Sequence, residues 1–174
     1  MRHRLQMHQW VPYAVPAVFD FFANPANLPP LMPRWQAARI DTAELVDPVP
    51  APADRPAAKT PAAGQGSRML ISFRLVPLLP IRMQWDARIV EFAWDDHFCD
   101  AQVTGPFAYW RHCHRLHAET RQGAEGTVVT DDVTYAFPLG PLGDLAWLAG
   151  GALQVQSLFR YRQRQLLKLL PAAR

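Results

Sequence analysis

Cysteine is scarce in this chain: only Cys99 and Cys113 occur in 174 residues, with neither CxxC nor zinc-type spacing. A strong charge bias is also missing, since 18 basic against 15 acidic side chains leave a net +3, too little to argue for nucleic acid. The longest apolar stretch, around Leu145 to Val155, is short and carries two glycines, so no segment can span a bilayer. The start Met1-Arg-His-Arg-Leu has no apolar core of a secretory signal. A cytoplasmic protein with reduced thiols is therefore the default expectation. No GxSxG nucleophile motif and no internal repeat are present. What is present is an ordinary 49% of hydrophobic residues and an unusual 17 prolines. A chain of this length makes a single domain, residues 1–174, and buries roughly 70% of the surface its unfolded form exposes. Neither a disulfide nor a metal is needed for its stability.

Residues 3–11 read as a strand. Val15, Val18, Phe19 and Phe22 then recur at helical spacing, with Pro16 suited to a first turn and Asn24-Pro25 as a stop. A second short helical turn covers Ala26 to Leu28 before Pro29-Pro30, and residues 35–45 read as a second strand. Asp47 to Gly66 is rich in proline, alanine and glycine without apolar periodicity, which predicts a long mobile loop shielding one entrance. Beyond it, Met69, Ile71, Phe73 and Leu75 share one face, as do Ile81, Met83, Trp85, Ala87 and Ile89 of the next strand. A strand from about His97 to Val103 enters a turn at Gly105-Pro106. From Leu142 to Leu170 the period is helical: Leu145, Leu148, Ala152, Val155, Phe159, Leu166 and Leu170 form an apolar stripe interrupted at Arg162, with a kink expected at Gly150-Gly151.

The densest chemistry lies between residues 98 and 135. Trp110, His112, His114 and Leu116 fall on one strand face, and Asp131, Val133 and Tyr135 on one face of the next, joined by the turn-like Arg121–Gly126. A turn centred near residue 106 sets Gln102 opposite Trp110, Asp100 opposite His112 and Phe98 opposite His114. Imidazoles and carboxylates among aromatics suit a pocket better than a dry core, because an unpartnered buried polar group costs a few kcal/mol.

The run Phe98-x-Asp100-x-Gln102-x-x-Gly105-Pro-Phe-x-x-Trp110-x-His112-x-His114, followed by Asp131-x-Val133-x-Tyr135-x-x-Pro138-x-Gly140, resembles the bacterial ligand-binding branch of the START/Bet v 1-like (SRPBCC) superfamily, which includes polyketide cyclase/dehydrase-like proteins. The order of elements resembles that superfamily over essentially the whole chain. The resemblance implies an α+β helix-grip fold, in which a curved antiparallel sheet of about seven strands wraps a long C-terminal helix, two short helices follow strand 1, and a cavity lies between sheet and helix. Fold constrains function weakly, since lipid carriers, hormone receptors and cyclases share it.

Three readings of the cavity follow. In the first, Asp100, Gln102, His112, His114, Asp131 and Tyr135 form a polar floor. Met69, Ile71, Phe73, Met83, Trp85, Phe98, Trp110 and Val133 supply apolar surface with Phe159 as lid, and the occupant is a small hydrophobic or amphipathic molecule such as a lipid, isoprenoid or polyketide-like compound. The competing structural reading is that these polar groups merely satisfy one another. In the second, His112 or His114 held by a carboxylate, with Asp131 and Tyr135, performs cofactor-free cyclase- or dehydratase-like acid–base chemistry. The third, a metal on His112-x-His114, has a spacing near that of a cupin motif but one residue off, and lacks the second motif's histidine; the expectation is no metal and no cofactor. Arg160, Arg164 and Lys168 read as a solvated helix face, or as a weak contact to anionic lipid headgroups. Cys99 and Cys113 fall nearly opposite one another on the outer face, where they are placed to oxidise, although free thiols are expected. A homodimer through a sheet edge or greasy helix end is a further expectation.

Overall fold

Side-chain alternation over most of the chain produces one antiparallel sheet in the computed structural model, which describes residues 1–58, 60–75 and 81–170. Its strands are β1 (His3–Val11), β2 (Arg39–Glu44), β3 (Arg68–Arg74), β4 (Arg82–Ala93), β5 (His97–Thr104), β6 (Tyr109–Arg121) and β7 (Ala124–Ala136). The spatial order is β1-β7-β6-β5-β4-β3-β2, a meander whose last strand also pairs with the first. Gln122 and Gly123, both at positive φ (52° and 78°), make the two-residue turn between β6 and β7. Their backbone twist matches that of the flanking strands. Register shifts near Asp86 and Ile89 mark bulges between β4 and β5 that bend the sheet.

Four helices accompany the sheet among the described residues: α1 (Val15–Ala23), α2 (Leu28–Leu31), α3 (Pro141–Ala146) and α4 (Ala152–Leu169). This is the helix-grip arrangement. Val18, Phe19 and Phe21 of α1 pack with Met69, Ile71, Phe73, Ile89 and Phe98 from the sheet and with Leu166 and Leu170. A second cluster joins Trp110, Val133 and Tyr135 to Val155 and Phe159 of α4. Burying several large side chains at about 1.5–3 kcal/mol each holds α4 on the sheet.

Local differences from the sequence reading have physical causes. Pro29-Pro30 does not end the second helical turn but lies within α2, because the first helical turn needs no intrahelical N–H donors. The second strand starts later than residue 35, since Arg34–Gln36 forms a 3-10 turn ending at Ala37 with φ 44°. Leu75 and Ile81 flank the segment 76–80, outside the described residues, and are exposed rather than on the apolar face. The C-terminal helix does kink at the glycines: Trp147–Gly151 forms a π turn, with Gly150 at φ 129°. The kink turns Leu145 and Leu148 outward, so they leave the apolar stripe expected for them and are 62% and 72% exposed.

The segment 47–66 is anchored rather than the free loop expected from composition, with Lys59 outside the described residues. Arg55, its side chain only 2% exposed, donates to Asp20 at 2.6 Å and to Asp95 at 3.0 Å and lies 4.2 Å over the Trp94 ring. Ala63 N donates to Ala23 O, and Gly64 N to Val46 O, both at 2.9 Å. A Cβ on Gly64 would meet the Pro48 backbone at 2.5 Å, so this approach requires glycine. The expectation of free thiols is likewise corrected. Cys99 and Cys113 face each other across β5 and β6 with Cα atoms 4.0 Å apart, both nearly inaccessible, and form a disulfide.

Candidate functional site

A cavity of about 150 Å³ opens between the sheet and α4. On a comparable measure one water needs roughly 10–15 Å³, so this space is far too large to be a packing defect. Its walls come from Phe21, Phe22, Leu28, Leu31 and Met32 on the short helices, from Met69, Ile71, Trp85, Ala87, Ile89, Phe98 and Trp110 on the sheet, and from Leu158 and Phe159 on α4. Polar groups also line it: Asp100, His112, His114, Arg162 and Gln36.

Register brings the polar groups together. Asp100 pairs with His112 and Phe98 with His114 across β5 and β6, while His114 pairs with Asp131 and His112 with Val133 across β6 and β7. Both imidazoles point inward, at 4% and 3% exposure. Behind them Asp131 receives both: its Oδ1 is 2.9 Å from His112 Nε2 and 3.0 Å from His114 Nδ1. The other ring nitrogen of His112 faces Asp100 Oδ1 at 3.6 Å, and Trp110 Nε1 donates to Asp100 Oδ2 at 3.3 Å. Arg162 reaches in from α4, with Nε 3.7 Å from Asp131 Oδ1 and the guanidinium carbon 5.0 Å over the Phe22 ring. The His114 ring is held between Phe22 and Phe98, at 5.1 and 4.5 Å between centroids.

Burial and mutual charge divide the protonation states. Burial alone would raise the Asp131 carboxyl, but the Arg162 charge and hydrogen bonds from His112 and His114 outweigh it and hold the group well below the usual carboxylate range. Burial, reinforced by the charges of His112 and Arg162, pushes His114 well below its ordinary value, so its ring is neutral near pH 7. Burial raises Asp100, with His112 and Arg162 opposing the rise. Burial also lowers Arg162, against the pull of Asp131 and Asp100. The result is a buried Asp131–Arg162 ion pair, a neutral imidazole, and a carboxyl at the cavity wall inclined to keep its proton.

Three polar atoms on lining side chains have no hydrogen-bond partner among the described residues: Trp85 Nε1, Gln36 Oε1 and Arg162 Nε. An unmet buried polar group costs about 1–3 kcal/mol, so the donors Trp85 Nε1 and Arg162 Nε favour an acceptor on the occupant, and the Gln36 Oε1 oxygen favours a donor.

Of the residues expected from sequence, Met69, Ile71, Trp85, Phe98, Asp100, Trp110, His112, His114 and Phe159 line the cavity. Asp131 lies one layer behind, touching it through the histidines and Arg162. Five others do not line it. Gln102 instead closes the β5–β6 turn, donating to Phe107 O at 2.7 Å and accepting from Phe107 N at 3.3 Å. Tyr135 is buried with its hydroxyl accepting from Trp147 Nε1 at 3.0 Å, Val133 is fully buried beside it, and Phe73 packs edge-on to Trp85. Met83 packs against the core near them. Arg162 was missed as a site residue, although the signal was visible: a charge set within an apolar helical stripe needs a buried counter-ion.

Asp100, His112 and His114 carry ligand atoms within 4.8 Å of one another, a grouping able to hold a cation. The adjacent Arg162 guanidinium repels one, and Asp131 already engages both imidazoles. The donor set fits a self-neutralised polar floor better than a metal centre.

No protein-family model matches the sequence, and no curated protein matches it. Among solved structures, protein Ms6760 from Mycobacterium smegmatis superposes with TM-score 0.60 at 16% identity, covering 98% of this chain and 92% of the other. Protein CV1439 from Chromobacterium violaceum gives 0.57 at 12% identity, covering 96% of each chain. Ara h 8.0201, a Bet v 1 allergen, gives 0.56 at 14% identity, covering 97% of this chain and 99% of its own. These likenesses establish the Bet v 1/SRPBCC helix-grip fold over the length of the chain. No helix of the described residues is long and apolar enough to cross a membrane.

Proposed function

We propose that this protein binds and carries a small amphipathic molecule of lipid, isoprenoid or polyketide-like character within its single domain. The observation that carries the reading is the cavity of about 150 Å³, apolar over most of its wall and polar where Asp100, His112, His114 and Arg162 meet. Apolar walls supply affinity through area, and a few fixed polar groups set the orientation of the occupant. An acceptor-bearing head directed at Arg162 and the Asp100 carboxyl, with its apolar part among Leu28, Leu31 and Met32, satisfies both kinds of surface. The fold shared with Bet v 1-like ligand-binding proteins supports the same reading.

Native mass spectrometry of freshly purified protein tests it. The expected result is a bound mass that organic extraction removes, and addition of a hydrophobic fluorophore to the extracted protein should then give saturable, stoichiometric binding. Protein that neither retains a small molecule nor binds such a fluorophore would sink the carrier reading.

One observation favours a second reading. His112 lines the cavity with its two ring nitrogens directed at different carboxylates, Asp131 and Asp100, an arrangement suited to moving a proton during cofactor-free cyclisation or dehydration. Chemical change of a co-purified molecule on incubation with the native protein, abolished by His112→Gln, would establish turnover in place of carriage.

A further inference from the structure

The kink in the C-terminal helix turns Leu145 and Leu148 out of the apolar stripe, where they join other exposed leucines. Leu139, Leu142, Leu145, Leu148 and Leu153 are between 62% and 77% exposed, on the approach to α3, on α3, on the π turn and on the first turn of α4. Between Phe137 and Phe159 the only ionisable side chain is Asp144, whose carboxylate is engaged by the Met1 ammonium at 2.8 Å. A little further along the helix the character reverses. Arg160, Arg164 and Lys168 are exposed, and no carboxylate occurs from Leu145 to Leu170.

We propose that this segment is a membrane-docking surface for anionic bilayers. The leucines of α3 and the π turn enter the boundary between headgroups and acyl chains, and Arg160, Arg164 and Lys168 lie on the phosphates. Leu153 and Arg160 are seven residues apart, about two helical turns, so they fall on the same side of α4, the leucines at its start and the cations further along. Scattered exposed leucines need no explanation, but a run of five with no unpaired charge among them does. Charge complementarity selects the occupant. A second copy pairing through the same leucines would bring another carboxylate-free basic helix alongside the first, with no acid on either to answer it. A negatively charged lipid surface answers all three cations, each worth about fivefold in affinity near such a surface. This surface is separate from the cavity lining and does not depend on what the cavity holds.

Vesicle flotation with the intact protein tests the proposal. The protein should float with phosphatidylcholine–phosphatidylglycerol vesicles and bind at least about tenfold more weakly to pure phosphatidylcholine. Leu145→Glu with Leu148→Glu should lower the bound fraction at least about tenfold on the mixed vesicles. Arg160→Glu with Arg164→Glu should bring mixed-vesicle binding down to the pure phosphatidylcholine level. Each side chain is exposed, so circular dichroism and thermal midpoint should be unchanged; if the leucine pair misfolds, Leu142→Gln with Leu153→Gln replaces it. Wild-type protein that stays unbound, or leucine variants that bind as it does, overturn the proposal. So does a wild type that sediments as a dimer, does not float, and becomes monomeric on leucine substitution, which would assign the surface to self-association.

Discussion

A single carboxylate oxygen, Oδ1 of Asp131, lies within 3.0 Å of ring nitrogens from both His112 and His114. It is also the nearest counter-charge to Arg162, at 3.7 Å. Removing it therefore strands one buried cation and frees two imidazoles at once. Asp131→Ala should cost about 3–5 kcal/mol of stability, the range for breaking one side of a buried ion pair. Urea unfolding followed by tryptophan fluorescence measures this, with the slope against denaturant unchanged if the same surface is exposed. A loss below about 1 kcal/mol would mean that Arg162 finds other company and that Asp131 is not the centre of the cluster.

The same cluster sets an acid limit whose direction follows from its proton affinities. His114 titrates well below its ordinary value when folded. Its contribution to stability is therefore complete above about pH 6.5, the unfolded value, and is lost as pH falls below that, because the unfolded chain takes up the proton first. Asp131, also depressed, adds a second loss below about pH 4. Asp100 has the opposite sign: its raised value makes the fold relatively more stable where it is protonated, and that benefit fades as pH rises towards its folded value. Chemical denaturation across pH 4 to 8 should show stability falling from about pH 6.5 downwards in the wild type. His114→Gln should flatten that limb, and Asp100→Asn should steepen it.

Much of this cluster was legible from alternation and one turn. Placing the β5–β6 turn near Gly105-Pro106 set Asp100 against His112 and Phe98 against His114, and the structure pairs them in that register. Period-two alternation put both imidazoles on the inner face, since a strand offers only two. The helix was harder. A 3.6-residue period fitted to residues 142–170 assumes one continuous axis, whereas Gly150 at φ 129° breaks it and turns Leu145 and Leu148 outward. Arg162 could be read as an interruption but not as a partner, because the pairing of α4 with Asp131 depends on how the helix crosses the sheet. Gln102 and Tyr135 lie on the expected strands but spend their polar groups on the turn and on Trp147. Periodicity locates a side chain on a face without saying which neighbour it finds there.

Arg55 offers a test of a different kind, since composition argued for a loose loop and the contacts argue against one. Its guanidinium bridges Asp20 on α1 and Asp95 in the β4–β5 turn while covering Trp94. Arg55→Ala should release the segment 47–66 without unfolding the sheet, because the β-ladders do not pass through it. Limited proteolysis should then cut within this segment at least about tenfold faster than in the wild type, a change of about 1.4 kcal/mol in the local opening equilibrium. Equal cleavage rates would show that the Gly64 and Ala63 backbone contacts suffice to hold it.

Arg162 separates the ligand-orienting role of the polar floor from its structural role. Its Nε lacks a hydrogen-bond partner among the described residues, and its side chain lines the cavity, so the cation has donors left for an occupant. Arg162→Met keeps the length of the side chain while removing every donor and the charge. Two fluorophores of nearly the same apolar shape distinguish the consequences: 1-anilinonaphthalene-8-sulfonate carries an anion, and N-phenyl-1-naphthylamine carries none. A charge-assisted hydrogen bond is worth about 1.5–3 kcal/mol, so the anionic probe should lose roughly ten- to hundredfold in affinity. The neutral probe depends on the apolar walls, which the substitution leaves in place, and should change less than about threefold. Equal losses for both would mean that Arg162 maintains the shape of the cavity, and unchanged binding of both would place the polar head of the ligand elsewhere.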